Sequence, residues 1–290
     1  MIELIYLTII YTFIFGSLYL GIALGFSIIT GILRVFHLAY PVLFLIVAYG
    51  TWLFWRDLGL TFILSIVLSF ILIIILTPIL YRFVISKFID AEDYLLTALL
   101  LIFLSTEETI NLIYPEWKGV YLPTLILPGT VNIGFAAVSG QLLITALIST
   151  IMVFFYVIFF VKTKIGLIMR AISQDYFASK MLGINFDVMF IIAMIAGSIP
   201  PGIIILLISP VWALNPFIGW TLFMFGLMVS VLGGLGNLKG TIIAAYIVGS
   251  IHAFIGFLID PRLMNLASLI AVVLILVFKP KGLARAETIW

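Results

Sequence analysis

Residues 170–185 read RAISQDYFASKMLGIN, a polar island in a chain that is otherwise almost wholly apolar. Charge-free stretches of more than twenty residues, 119–161 and 188–238, lie on either side of its neighbourhood. Within the island, Ala171, Phe177, Ala178, Met181 and Leu182 fall near one helical face, while Arg170, Gln174, Asp175 and Lys180 fall mostly elsewhere. That spacing predicts a short amphipathic helix ended by Gly183. Such a helix has two uses: lying on a membrane surface, or docking into a groove of another protein. Its contrast with the flanking sequence sets the fold class, because the flanks have no means of facing water.

Composition makes the same point. The 290 residues are 65% hydrophobic and only 9% charged, with 14 basic and 12 acidic side chains. Soluble domains carry about 25% charge. This chain must therefore be solvated by lipid, as a single membrane domain over 1–290. A net charge of +2 does not point to nucleic acid, and the absence of cysteine excludes a disulfide framework, a thiol nucleophile and a thiolate metal site. The N-terminal run carries Glu3 and lacks a basic leader, which reads as a retained first span.

A helix needs about twenty apolar residues to cross the hydrocarbon layer. The runs 4–33, 38–54, 58–81, 94–114, 141–161, 188–208, 217–235, 241–258 and 263–278 give an all-α polytopic bundle of about 8–9 spans. The second and last are short enough to be re-entrant or tilted. Lysine and arginine concentrate on cytoplasmic loops. With 162–187 inside, eleven basic residues share its side (Arg34, Arg82, Lys87, Lys162, Lys164, Arg170, Lys180, Lys239, Lys279, Lys281 and Arg285). Only Arg56, Lys118 and Arg262 fall on the other, which puts the N-terminus outside and the C-terminus in the cytoplasm. The 115–140 connection then lies outside, where Pro123 and Pro128 break helices and Trp117 and Tyr121 suit the headgroup region.

Small residues mark helix contacts in lipid. Ser17, Gly21 and Gly25 recur four apart in the first span, as do Ala245, Gly249 and Ala253 near the end. Their reading is helix packing, with a glycine-lined path as the alternative. Glu107 and Glu108 fall in the fourth span, where Thr97, Ser105, Glu108 and Asn111 share a face. Either the span ends near 106 and the glutamates sit among headgroups, or they line a translocation path and meet a substrate ammonium group. His37 and His252 are lone histidines suited to packing or an interfacial hydrogen bond, and form no metal site. The aspartates Asp90, Asp93, Asp175, Asp187 and Asp260 fall at loop ends, so no intramembrane aspartyl chemistry is indicated.

Several stretches together resemble the branched-chain amino acid ABC transporter permease family. In the island these are Arg170 and Ala171, Asp175, the small pair Ala178 and Ser179, then Gly183, Ile184 and Asn185. GFSIITGILRVFHLAY at 25–40, VLGGLGNLKGTIIAAYIVG at 231–249 and VFKPKGL at 277–283 are similar to other family segments, in order. The resemblance implies that the island, within a segment of about 162–187, is gripped by a separate ATP-hydrolysing subunit. It also implies a second homologous permease, two ATP-binding subunits and an extracytoplasmic substrate-binding protein. No Gly-x-x-x-x-Gly-Lys-Ser/Thr loop occurs here, so ATP and magnesium belong to the partners and this chain binds no cofactor. The family's Asn-Phe-Ala-His-Gly-acid motif stands here as His37 to Val42, HLAYPV, with His37 and Tyr40 as candidate path residues. The expected cargo is branched-chain or related hydrophobic amino acids. Urea or short amides are the alternative cargo, and a proton-coupled secondary transporter is a rival class.

Overall fold

Helix α1 (Ile2–Leu33) forms the axis of the molecule, a computed structural model that describes residues 2–115, 119–123, 126–134, 136–280 and 282–284. Trp117, Lys118, Lys281 and Arg285, named above for interfacial character or charge, lie outside the described residues. Every residue of α1 from Ile14 to Thr30 is buried. In lipid each backbone N–H and C=O must be satisfied within the helix itself, which is why so continuous an apolar run folds this way. Around α1 pack α6 (Gly140–Lys162), α9 (Phe186–Ile208), α10 (Ile218–Gly233) and α11 (Leu238–Leu258). The nearly fully buried α2 (Tyr40–Trp52) packs between α9, α10 and α3 (Phe62–Leu80), and an outer group of α3, α5 (Glu92–Ile113) and α12 (Met264–Phe278) completes the bundle. Ile63, Val67, Leu101, Leu269 and Val273 on these outer helices are exposed apolar side chains.

The small-residue stripes are contact surfaces. A Cβ on Gly25 would collide with the Gly197 carbonyl of α9, and one on Gly249 with the backbone of Gly16. Gly21 faces Ser149 of α6 and Ile204 of α9. Ser17 shares hydrogen bonds with Tyr246 at 3.1 Å and Thr150 at 3.2 Å, while Ser149 donates to its carbonyl. Ala245 and Ala253 are buried beside Gly249 on α11. Close backbone approach, rather than an open glycine-lined path, is what these positions provide within this chain.

Seven helices are long and apolar enough to cross a membrane, among the described residues. Two further expected spans are shorter. Ile218–Gly233 is one, where the seventh run read as a full span. Tyr40–Trp52 is the other, and a π-helical turn at Leu53–Asp57 extends it. The last run, read as short, reaches full length because the 3-10 turn Pro261–Leu263 extends α12. Pro41 in the first turn of α2 needs no backbone donor. Pro78 inside α3 removes one, and a π-helical turn at Tyr81–Ile85 and the short α4 (Ser86–Phe88) follow it.

The 115–140 connection contains a hairpin, β1 (Thr130–Ile133) with β2 (Ala136–Ser139), in antiparallel register with Ile133 opposite Ala136. A bridge between Val120 and Leu214 ties the connection to the α9–α10 loop. At the other end of the bundle Gly31 abuts Gly236, and Leu283 N–H donates to the Leu232 carbonyl at 2.8 Å. Two of the segments that carry the family resemblance, 231–249 and 277–283, are thus joined there.

Candidate functional site

The polar island is two helices, not one. The Thr163 hydroxyl accepts from Gly166 N–H at 3.0 Å and opens α7 (Lys164–Gln174). Asp175 then turns extended, with φ −142° and ψ 103°, and its carboxylate accepts from Ala178 N–H at 2.9 Å to open α8 (Tyr176–Met181). An aspartate followed by a helix is a strong N-cap, and here it outcompetes continuation of α7. Gly183 stops α8 with φ +73°, a region that glycine enters without steric penalty. Asn185 caps α9 by accepting from Val188 N–H at 3.2 Å.

These caps decide which way side chains point. Met169 and Ile172 are buried and seat α7 on the bundle. Phe177, Met181 and Leu182 are 79%, 89% and 77% exposed, so the apolar face of α8 is turned away from this chain. The small pair Ala178 and Ser179 divides: Ala178 is exposed, whereas Ser179 is only 2% exposed and packs inward. Arg170 reaches back to the Val161 carbonyl at 3.4 Å and braces the α6–α7 turn. Ala171 and Ile184 are half-buried. Of the eight island residues singled out in the sequence, Ala178 alone presents an open side chain suited to close approach, joined by its apolar neighbours. Asp175, Gly183 and Asn185 shape the segment instead.

The segment is also tied to the bundle. Arg34, just past α1, donates from Nη2 to the Ser173 carbonyl at 2.8 Å and the Gln174 carbonyl at 3.4 Å. Tyr81 donates its hydroxyl to Asp187 Oδ1 at 2.6 Å. Sequence reading gave Arg34 its charge and a place in the 25–40 segment of the resemblance, and passed over Tyr81. The available signal for Arg34 was a basic residue placed directly after a helix with no glycine to close it. A cleft of about 450 Å³ lies beside this junction, lined by Thr30, Arg34, Phe36, Glu92, Ser173 and Leu235.

Within the bundle, α5 continues through Ile113, so its helix does not end near 106. Its inward face is Leu95, Leu99, Phe103 and Glu107. Glu107 is 7% exposed, and its Oε2 has no hydrogen-bond partner among the described residues. One turn away, Phe103 stacks on Trp220 at 5.6 Å. Thr97, Ser105 and Glu108 lie on the opposite, exposed face, with Asn111 half-exposed and bonded to Glu108 at 3.5 Å. The polar stripe therefore faces out of this chain, and Glu107 faces in. Beside α5, a cavity of about 280 Å³ opens between α2, α3 and α5, lined by Val42, Leu43, Ile73, Thr77, Ile102 and Thr106.

His37 is fully buried with neither ring nitrogen hydrogen-bonded among the described residues. Tyr40 donates to the Ile22 carbonyl at 2.9 Å and meets Phe26, Phe44 and Phe223 edge-on or tilted. Both belong to the interior of this chain. His252 bonds Asn265 at 3.1 Å and packs among Tyr19 and Phe225, which accounts for its burial. No three His, Asp or Glu side chains gather for a metal among the described residues.

Known protein sequences align with most of this chain. A family model described as branched-chain amino acid transport system / permease component matches residues 8–278. The chain is 23% identical over 287 residues to the high-affinity branched-chain amino acid transport system permease protein BraD of Pseudomonas aeruginosa, covering 94% of this chain and 93% of that protein. It is also 23% identical over 292 residues to the corresponding LivH proteins of Salmonella typhimurium and Escherichia coli, at the same coverage.

Proposed function

Because the chain belongs to the branched-chain amino acid transport system permease family, we propose that it is the membrane-spanning subunit of a binding-protein-dependent ABC importer, carrying branched-chain or related hydrophobic amino acids across the cell membrane. The observation that carries this reading is α8. A short helix opened by the Asp175 cap and closed at Gly183 presents Phe177, Met181 and Leu182 away from its own chain, at the end of the bundle that carries Arg34, Lys164 and Lys180. An apolar helix face of that kind suits a groove in a partner.

In this reading α7 and α8 are cytoplasmic and are gripped by one of two ATP-binding subunits, which hold the ATP and magnesium. The hairpin side faces outward, toward a substrate-binding protein. A second homologous permease covers part of the outer helices, including the exposed stripe with Ser105, Glu108 and Asn111. Selectivity resides largely with the binding protein, so urea or short amides remain alternative cargoes. The test is reconstitution with the neighbouring transport subunits in liposomes. ATP-dependent uptake of leucine, absent without the binding protein, is the expected result; leucine uptake driven by a proton gradient without ATP would reject the importer reading. The buried Glu107 carboxylate, whose Oε2 has no hydrogen-bond partner among the described residues, is the observation that would suit such a proton-coupled carrier.

A further inference from the structure

We infer that Arg34 is a positioning residue that passes movement of the α7–α8 segment into α1, the axis of the bundle. The inference rests on the reading of α7–α8 as the surface gripped by an ATP-hydrolysing partner.

Three features converge on this residue. Arg34 is the only non-glycine residue with a positive φ, 57°, among the described residues. Side chains rarely adopt that conformation, and here it turns the guanidinium back across the end of α1. The guanidinium then reaches the last carbonyls of α7, at Ser173 and Gln174. The final carbonyls of a helix lack partners within the helix and carry its negative dipole end, so a planar cation with several donors suits them. The contact also falls at the junction between the two helices, since Asp175 follows immediately and caps α8. A displacement of α8 thus has two routes into the bundle: through α7 and Arg34 to α1, and through the Tyr176–Phe186 ring contact at 4.6 Å to α9.

On the other side of the junction α1 has little freedom. One turn back, a Cβ on Gly31 would come to 2.8 Å from the Gly236 Cα, so the end of α1 is wedged against the 233–237 loop. The chain beyond Arg34 leads within six residues to Tyr40, whose hydroxyl is bonded to the Ile22 carbonyl of the same helix. A pull at Arg34 is thus shared between α1 and the start of α2. Met169 and Ile172 also seat α7 on the bundle, but apolar packing is not directional, whereas the Arg34 bonds are.

The test uses the full complex of permease and ATP-binding subunits in lipid nanodiscs, with hydrogen exchange measured before and after trapping with ATP and vanadate. In the wild type, exchange is expected to change both in 164–185 and in 26–40. Arg34→Gly keeps the backbone conformation without strain and removes only the side chain. In that variant the change in 164–185 persists and the change in 26–40 is lost. Arg34→Lys, with a charge but no fork, recovers part of it. A response in 26–40 that survives Arg34→Gly, or is missing from the wild type, overturns the inference. Absence of any response in 164–185 of the wild-type complex removes the docking reading instead, and the inference with it.

Discussion

Glu107 and Glu108 are neighbours in sequence, yet about 100° of helix rotation separates their side chains, and in α5 that angle divides the interior from the surface. A carboxylate at membrane depth costs about 3 kcal/mol, so an inward one with an unpartnered oxygen calls for a partner that comes and goes. Under the importer reading proposed above, a substrate ammonium would be such a partner. Glu107→Gln keeps the shape and removes the charge. Leucine uptake by the reconstituted importer should fall roughly tenfold, as for the loss of about 1.4 kcal/mol, with normal permease abundance. Glu108→Gln should leave uptake within twofold, roughly the span of an exposed-site substitution. Equal effects from both variants would reject the assignment. The sequence puts both glutamates on this helix and Glu108 on its polar face, but not which face is covered, because the exposed stripe of Thr97, Ser105 and Glu108 has helical spacing as regular as that of the buried row. Periodicity identifies faces, and only the neighbouring helices decide which face is covered.

At the scale of elements, α7 and α8 illustrate how a single side chain redirects a pattern. The apolar spacing across 170–185 is that of one helix, but the Asp175 carboxylate captures Ala178 N–H and begins a new one. The cap signal was present in the sequence; the amphipathic pattern outweighed it in the reading. The break separates two surfaces. Met181→Asp should leave the permease folded and abundant, and lose the ATP-binding subunit on co-purification. Ser179→Phe overfills a buried site, at a penalty of about 1–3 kcal/mol, and should lower permease abundance itself. Size-exclusion profiles with co-purification distinguish them, and retention of the ATP-binding subunit by Met181→Asp would reject α8 as the docking surface. The β1–β2 hairpin went unread for a different reason. Its strands are four residues each, with a turn glycine at Gly134 (φ 59°), too brief for alternation to stand out beside Pro123 and Pro128.

For the whole molecule, each of the nine apolar runs of the sequence holds a helix, and lengths were misjudged where a π-helical or 3-10 turn extends a span, where α3 begins at Phe62 rather than 58, and where α10 stops early. The helices alternate direction so that the loop at Arg34, the α7–α8 segment and the 233–237 loop meet at one end, as Arg34–Ser173 and Gly31–Gly236 show directly. Since the chain has no cysteine, single cysteines at Ser173 and Gly129 should label from opposite sides of the membrane, Gly129→Cys from outside. Labelling of both from outside would reject the orientation. The central place of α1 has one more consequence, in time rather than space. Its bonds from Ser17 to Tyr246 and from Ser27 to Thr241 join positions 229 and 214 residues apart. At about 5–20 residues per second, the ribosome needs roughly 10–50 s to supply those partners. During that interval α6 and α9 can already cover part of α1, but the face that meets α11, with Gly16 and Ser27, waits in the bilayer. The helix that organises the finished bundle is thus the first made and waits longest for its main partner, and substitutions on that face act first on how many nascent chains escape membrane quality control.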